Sequence, residues 1–247
     1  MIRSEIPPIR FVIIAVSVLF SVSIVNASLQ SGERPLVFVI LALYVAFFLY
    51  GLKTRDHTIW IWLLYGLVTG FVEVASDCDS FLTHDVKVLV YPDTFPKIGV
   101  SPAYLPFAWG LIWTVLGLVG QWLRRQQTLL KPTVLIGLLG AALIALFENL
   151  ARQAGWWYYR DTPMLVWCPF FVLLFEFLST VVIVPIGWKI TKSSVRGAYM
   201  WAIIFGILSG IWMCIAMRIG FAVFGPCEGA IIQFECFKTD FVPFWAN

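Results

Sequence analysis

The chain has 247 residues, of which 60% are hydrophobic and 13% charged, with a formal net charge of +3. Its mean hydropathy is +0.88. Soluble domains carry about 25% charged residues, so a soluble globular protein is excluded. Its two histidines, His57 and His84, fall on opposite sides of the predicted topology, which excludes a histidine-rich di-iron desaturase. No Cys-x-x-Cys and no Walker A loop occurs, which argues against a membrane thiol oxidoreductase and against ATP-driven work.

Seven apolar runs follow one another near 11–27, 35–52, 58–76, 102–123, 132–150, 164–190 and 197–224. Each is close to the roughly 20 residues that a bilayer-crossing helix requires. The reading is an all-α polytopic membrane protein, a single transmembrane domain over 1–247. The first run also fits a signal peptide, with "MIRSEIPPIR" as its charged leader and "VNA" as a cleavage site; a retained helix is the expectation. Lys and Arg set the orientation. The N-terminal tail and the loops near Lys53, Arg124 and Lys189 share one side, with Arg3, Arg10, Arg55, Arg125, Lys131, Lys192 and Arg196. The acids of that side are Glu5 and Asp56, whereas Glu33, Asp77, Asp79, Asp85, Asp93, Asp161, Glu228, Glu235 and Asp240 fall on the other. The N-terminus is therefore expected in the cytoplasm and the C-terminus outside. The net charge reports topology, and no nucleic-acid partner is expected.

The long outer loop, 77–101, reads "DCDSFLTHDVKVLVYPDTFPKIGVS". Within it "KVLVY" is either a short strand or an interfacial segment. Asp77, Asp79, His84 and Asp85 form an oxygen-rich set of the kind that holds Mg²⁺, although acidic outer loops are common and no metal or other cofactor is expected. Cys78, Cys227 and Cys236 fall on the outer side, where disulfides persist, and Cys227–Cys236 is the expected pair. Cys168 and Cys214 read as small buried hydrophobes.

A faint internal echo runs through the second half. "GFVEVASD", "VYPD" and "SPAYLPFAWG" are matched by "LFENLARQ", "GWWYYRDTP" and "MLVWCPFF". Each unit is a helix ending in an acid, a Tyr-bearing loop, and a helix with an early proline. Repeats of this kind set sites at the repeat interface.

An ionisable residue inside the bilayer is a functional candidate by default. Glu73 and Glu148 lie near the outer ends of the third and fifth spans, Glu176 several turns into the sixth, and Arg218 toward the outer end of the seventh. Asp77, four residues after Glu73, shares its face if the helix continues. Glu73, Glu148, Glu176 and Arg218 are expected to meet in one outward-leaning cavity, with Asn149 adding an amide and Tyr91, Tyr104, Tyr158 and Tyr159 adding hydroxyls at its rim. Structural readings compete. Glu148 and Arg152 are spaced to pair along a helix, Trp156 to Tyr159 read equally as an interfacial aromatic belt, and Glu73 is near enough to the surface to reach headgroup water. Glu176, inside "FVLLFEFLST" without a local cation, is the hardest to explain structurally. As a neutral acid it is a proton donor for an apolar substrate.

The run "FENLARQAGWWYYRDTP", followed by "CPFFVLLFEFL", resembles membrane carotenoid-biosynthesis proteins, namely lycopene cyclases of the heterodimeric type and carotenoid hydratases. "GVSPAYLPFAWG" has a similar character. The size and the seven spans are also similar to integral-membrane terpene cyclases of meroterpenoid pathways. The chain departs from the lycopene cyclases in lacking their Pro-Glu-Glu element, since Pro169 and Glu176 are separated. The resemblance implies acid chemistry without a metal, with Glu73, Glu148 and Glu176 as acid or cation-stabilising groups. Trp109, Trp156 and Tyr158 would hold a carbocation through their π faces. The sequence-based expectation is an isoprenoid-processing enzyme for cyclisation or hydration, with Glu73, Glu148, Glu176 and Asp77 as catalytic candidates. Trp109, Asn149, Trp156, Tyr158 and Arg218 are the substrate-binding candidates. Its partners would be a lipophilic isoprenoid and membrane lipid, in a bacterial inner membrane or the endoplasmic reticulum. A proton-coupled transporter and a non-enzymatic receptor or assembly factor are the alternatives.

Overall fold

The computed structural model describes residues 9–82, 88–92, 95–125 and 127–225. Among the described residues there are eight helices: α1 (Ile9–Leu29), α2 (Arg34–Thr54), α3 (His57–Leu82), α4 (Leu105–Arg124), α5 (Leu130–Ala154), α6 (Phe170–Thr180), α7 (Ile183–Thr191) and α8 (Val195–Phe224). They make seven membrane spans, because α6 and α7 are two halves of one, Phe170–Thr191. Pro185 explains the break. It has no N–H to donate, and its ring crowds the carbonyl four residues earlier, at Val181. The protein is an all-α seven-helix membrane bundle, with large apolar side chains such as Phe38, Leu138 and Ile211 exposed on its outside.

Two of the expected boundaries move furthest. α3 continues to Leu82 rather than yielding to a loop at 77, since nothing between Gly70 and Leu82 breaks a helix. The sixth span begins at Phe170 rather than 164, because 164–169 form a hairpin. Cys227 and Cys236, His84, Asp85 and the side chains of Cys78 and Asp79 lie outside the described residues, and with them the expected disulfide and the acidic loop set.

α3 is the central helix, packed along α4 and α8. Close approach explains its glycines. A Cβ on Gly70 would stand 2.1 Å from the Pro106 carbonyl oxygen, and one on Gly66 2.1 Å from that of Gly110. In lipid, where burial of apolar surface does not drive helices together, such small-residue contacts hold a bundle by dispersion.

The up-and-down order brings the ends of α1, α3, α5 and α8 and the starts of α2, α4 and α6 to one end of the bundle. That end carries the six short strands found among the described residues: β1 (Leu89–Val90), β2 (Lys97–Ile98), β3 (Ser101–Pro102), β4 (Tyr158–Tyr159), β5 (Met164–Leu165) and β6 (Cys168–Pro169). The sequence echo is a structural repeat here. α3–β1–hairpin–α4 is matched by α5–β4–hairpin–α6, and the two units join by antiparallel pairing of β1 with β4, Leu89 opposite Tyr159 and Val90 opposite Tyr158. The hairpins share one register. Lys97 and Ile98 face Pro102 and Ser101, while Met164 and Leu165 face Pro169 and Cys168. Even the turn is matched, with Gly99 at φ +62° and Val166 at φ +59°.

A β-branched residue at positive φ is strained. Val166 is 70% exposed, so its side chain offsets little of that strain. Relief of about 1–2 kcal/mol, less about 0.4–1 kcal/mol for the freer unfolded chain, sets the expectation for Val166→Gly. The variant should be more stable by roughly 0.5–1 kcal/mol, read as a raised midpoint in thermal unfolding of the detergent-solubilised protein.

Candidate functional site

The strand-bearing end closes over a narrow, partly open cleft with a cavity volume of about 30 Å³. Four carboxyl side chains line it: Glu73 and Asp77 from α3, Glu148 from α5 and Glu176 from α6. All four are buried, at 2–7% exposure. No Lys, Arg or His stands among the described residues that line it. The rest of the wall is aromatic and aliphatic, with Leu105 and Trp109 from α4, Trp157 and Tyr159 from β4 and its approach, Phe171, Val172 and Phe175 from α6, and Phe221 from α8.

Each repeat dresses one acid. In the first, Ser101 Oγ and Tyr91 OH both donate to Asp77 Oδ2, at 2.6 and 3.0 Å. In the second, Trp157 Nε1 donates to Glu148 Oε2 at 2.6 Å and Tyr159 OH to Oε1 at 3.1 Å. Tyr91 and Tyr159 play matching parts, and Cys168 occupies the hairpin position of Ser101. Burial, then the neighbouring acid's charge, pushes both phenols well above their ordinary range, so they remain donors. Burial likewise keeps Cys168 a thiol.

Glu176 differs. Its Oε1 is buried without a hydrogen-bond partner among the described residues, and Phe171, Val172 and Phe175 of its own helix line the cleft with it. The Trp157 and Tyr159 donors serve Glu148.

Burial raises the Asp77 carboxyl above the ordinary aspartate range, while the Ser101 and Tyr91 hydrogen bonds pull it down without cancelling the effect. The folded state thus holds its proton more tightly than the unfolded chain. That contribution to stability is complete below the ordinary value of about 4 and is lost as pH rises through the raised one. Thermal midpoints should fall as pH climbs upward from about 4, and Asp77→Asn should flatten the slope.

Of the binding candidates, Trp109 lines the cleft and the others do not. Trp156 donates from Nε1 to the Gly32 carbonyl at 2.8 Å, tying the α5–β4 turn to the α1–α2 loop. Asn149 donates to Ala145 O and accepts from the Trp167 amide at 3.3 Å, which pins the β5–β6 hairpin. Tyr158 accepts from Arg160 Nη2. Arg218 lies on the exposed side of α8. The reason for the first and third corrections is strand alternation. In "WWYY", Trp157 and Tyr159 share one face and Trp156 and Tyr158 the other. Period two in this stretch was the signal that would have selected Trp157 and Tyr159. Nor is this run a lipid-facing belt, because all four rings are buried. Arg152 stacks on the Trp167 ring at 4.2 Å, and Glu148 takes Trp157 and Tyr159 as partners.

The fold and the cleft define the class: a multi-pass membrane bundle with a sequestered cluster of carboxyl groups. The chain belongs to the family described as Domain of unknown function (DUF6989), whose model matches residues 77–224. The match begins at Asp77 and runs to the end of α8, so it spans three of the four acids and both hairpins. Neither a curated protein nor a solved structure matches the chain.

Proposed function

We propose that the protein is an integral-membrane enzyme that protonates a lipophilic isoprenoid and directs the resulting cation to cyclisation or hydration. The observation that carries this reading is the gathering of four carboxyls in an apolar, aromatic cleft without a basic neighbour among the described lining residues. Like charges packed this closely do not all ionise in a low dielectric, so the cluster holds transferable protons. The two kinds of environment divide the labour. Glu176, in apolar surroundings, delivers its proton to an alkene carbon or an epoxide oxygen. In the epoxide case the C–O electron pair leaves with oxygen. The carbocation is captured by a second π bond or by water, and the proton then lost passes to Glu148 or Asp77, whose donors are set to receive a carboxylate. Glu73, within electrostatic range of Glu176 and Asp77, lies on the return path. The faces of Trp109 and Trp157 stabilise the cation.

The transporter reading has less support. Away from the strands the α3–α4 interface is filled by Trp62, Tyr65 and Trp113, with ring centroids 5.2 and 6.1 Å apart. The test is mass spectrometry of lipids from cells expressing the wild type or an inactive variant. An isomer, or a product heavier by one water, that requires the intact protein supports the enzyme. Identical lipid profiles would overturn it.

We place the basic end of the bundle in the cytoplasm and the cleft near the outer leaflet, on the Lys and Arg distribution. A reporter fused after Asn247 should then be active only on the non-cytoplasmic side. Cytoplasmic activity would move the acid cluster to the other leaflet.

A further inference from the structure

A second cleft adjoins the acid site. It is a partly open crevice between α1, α2, α4 and α5, with closed room of about 30 Å³, and is lined almost wholly by hydrocarbon. Leu105, Trp109 and Trp157 line both clefts, so the two meet at these side chains. From there the second runs toward the membrane interior. Ile144 lies one turn below Glu148 on α5. On α4 the lining extends from Leu105 to Ile112, about 10 Å at 1.5 Å per residue. Leu19 and Ile40 close it from α1 and α2.

The junction carries a polar feature. Trp109 Nε1 is buried without a hydrogen-bond partner among the described residues. An indole N–H is a donor only, and a buried one ordinarily finds an acceptor. An apolar slot with one donor at its mouth, opening onto a proton source, matches a particular kind of ligand.

We propose that this second cleft is the binding site for the hydrocarbon chain of an oxygenated isoprenoid, an alcohol, aldehyde or epoxide, whose oxygen accepts a hydrogen bond from Trp109 Nε1 at the junction. This rests on the isoprenoid reading above and adds how the substrate lies. The tail points between α1, α2, α4 and α5, the oxygen sits at Trp109, and the reacting carbons face the acids.

The test uses the full-length protein in detergent and geranylgeraniol bearing a photoactivatable diazirine on its last isoprene unit. Crosslinked residues are mapped by mass spectrometry. Labels are expected on the segments around Leu19, Ile112 and Ile144. Ala108→Trp, which fills the slot, should reduce labelling there at least tenfold; Ala108→Leu serves the same end should the larger residue impair folding. Trp109→Phe retains the ring and removes the donor. It should weaken binding of the alcohol about threefold to tenfold, the loss of one hydrogen bond, and leave binding of the corresponding hydrocarbon unchanged. Labels confined to lipid-facing positions such as Phe38, or equal loss of both probes in Trp109→Phe, would overturn the inference. The readout needs no turnover. Labelling in the slot without any product would leave the site standing and remove the enzymatic reading, whereas product without slot labelling would do the reverse.

Discussion

Glu176→Gln is expected to lose at least about 10²–10⁴-fold in product formation, the range associated with a positioned general acid, while still folding. The amide matches the carboxyl in shape and supplies no transferable proton. Glu176 Oε1 has no hydrogen-bond partner among the described residues, so the replacement sacrifices little that holds the bundle together. The check is paired. Product from lipid extracts is quantified by mass spectrometry, and the thermal midpoint of the purified variant is set beside that of the wild type. Wild-type product levels would remove Glu176 as the acid. A collapsed midpoint would recast it as a structural group.

Glu148 should behave in the opposite way, with stability the first thing lost. Glu148→Leu removes the acceptor of two buried donors, Trp157 Nε1 and Tyr159 OH. Each orphaned donor carries a penalty of about 1–3 kcal/mol, and inside a bilayer no water is at hand to relieve it. A total of roughly 2–6 kcal/mol follows, large against ordinary protein stabilities of about 5–15 kcal/mol. Glu148→Gln keeps one acceptor oxygen and turns an NH₂ group toward the other donor, so an intermediate loss is expected. Adding Trp157→Phe or Tyr159→Phe to Glu148→Gln should recover part of it, because one orphaned donor goes with it. Denaturation midpoints of the single and double variants in detergent decide the matter. Independent, additive losses would show that Glu148 and these rings do not act as one unit.

The contrast between the two glutamates marks how far residue identity reaches. Both are single acids in apolar helices, and the sequence separates them by the Arg152 spaced to pair with Glu148. Their difference arises because β1 and β4 pair across the repeat and bring the Trp157–Tyr159 face over α5, while Glu176 lines the cleft with the phenylalanines of its own helix. That division of roles is therefore a property of the repeat interface.

The seven spans and a common end for Glu73, Glu148 and Glu176 were legible in the sequence, whereas Asp77 joined them only because α3 runs on to Leu82. A bilayer fixes the length of a helix, hydropathy along the chain is a local quantity, and up-and-down alternation then assigns each acid to an end. Helix periodicity placed Asp77 on the face of Glu73 only on condition that the helix continue past 76, and the structure supplied that condition. The tertiary structure decided what depends on side-chain direction. Trp157 and Tyr159, rather than Trp156 and Tyr158, face the acids because a strand alternates and the strand exists only through pairing with a segment in the other repeat. Asn149 turned to the β5–β6 hairpin and Arg218 to the outside of α8 for the same kind of reason, since rotation of a helix about its axis is set by the glycine contacts and rings of its neighbours. Composition and spacing carry depth in the membrane; only packing carries azimuth.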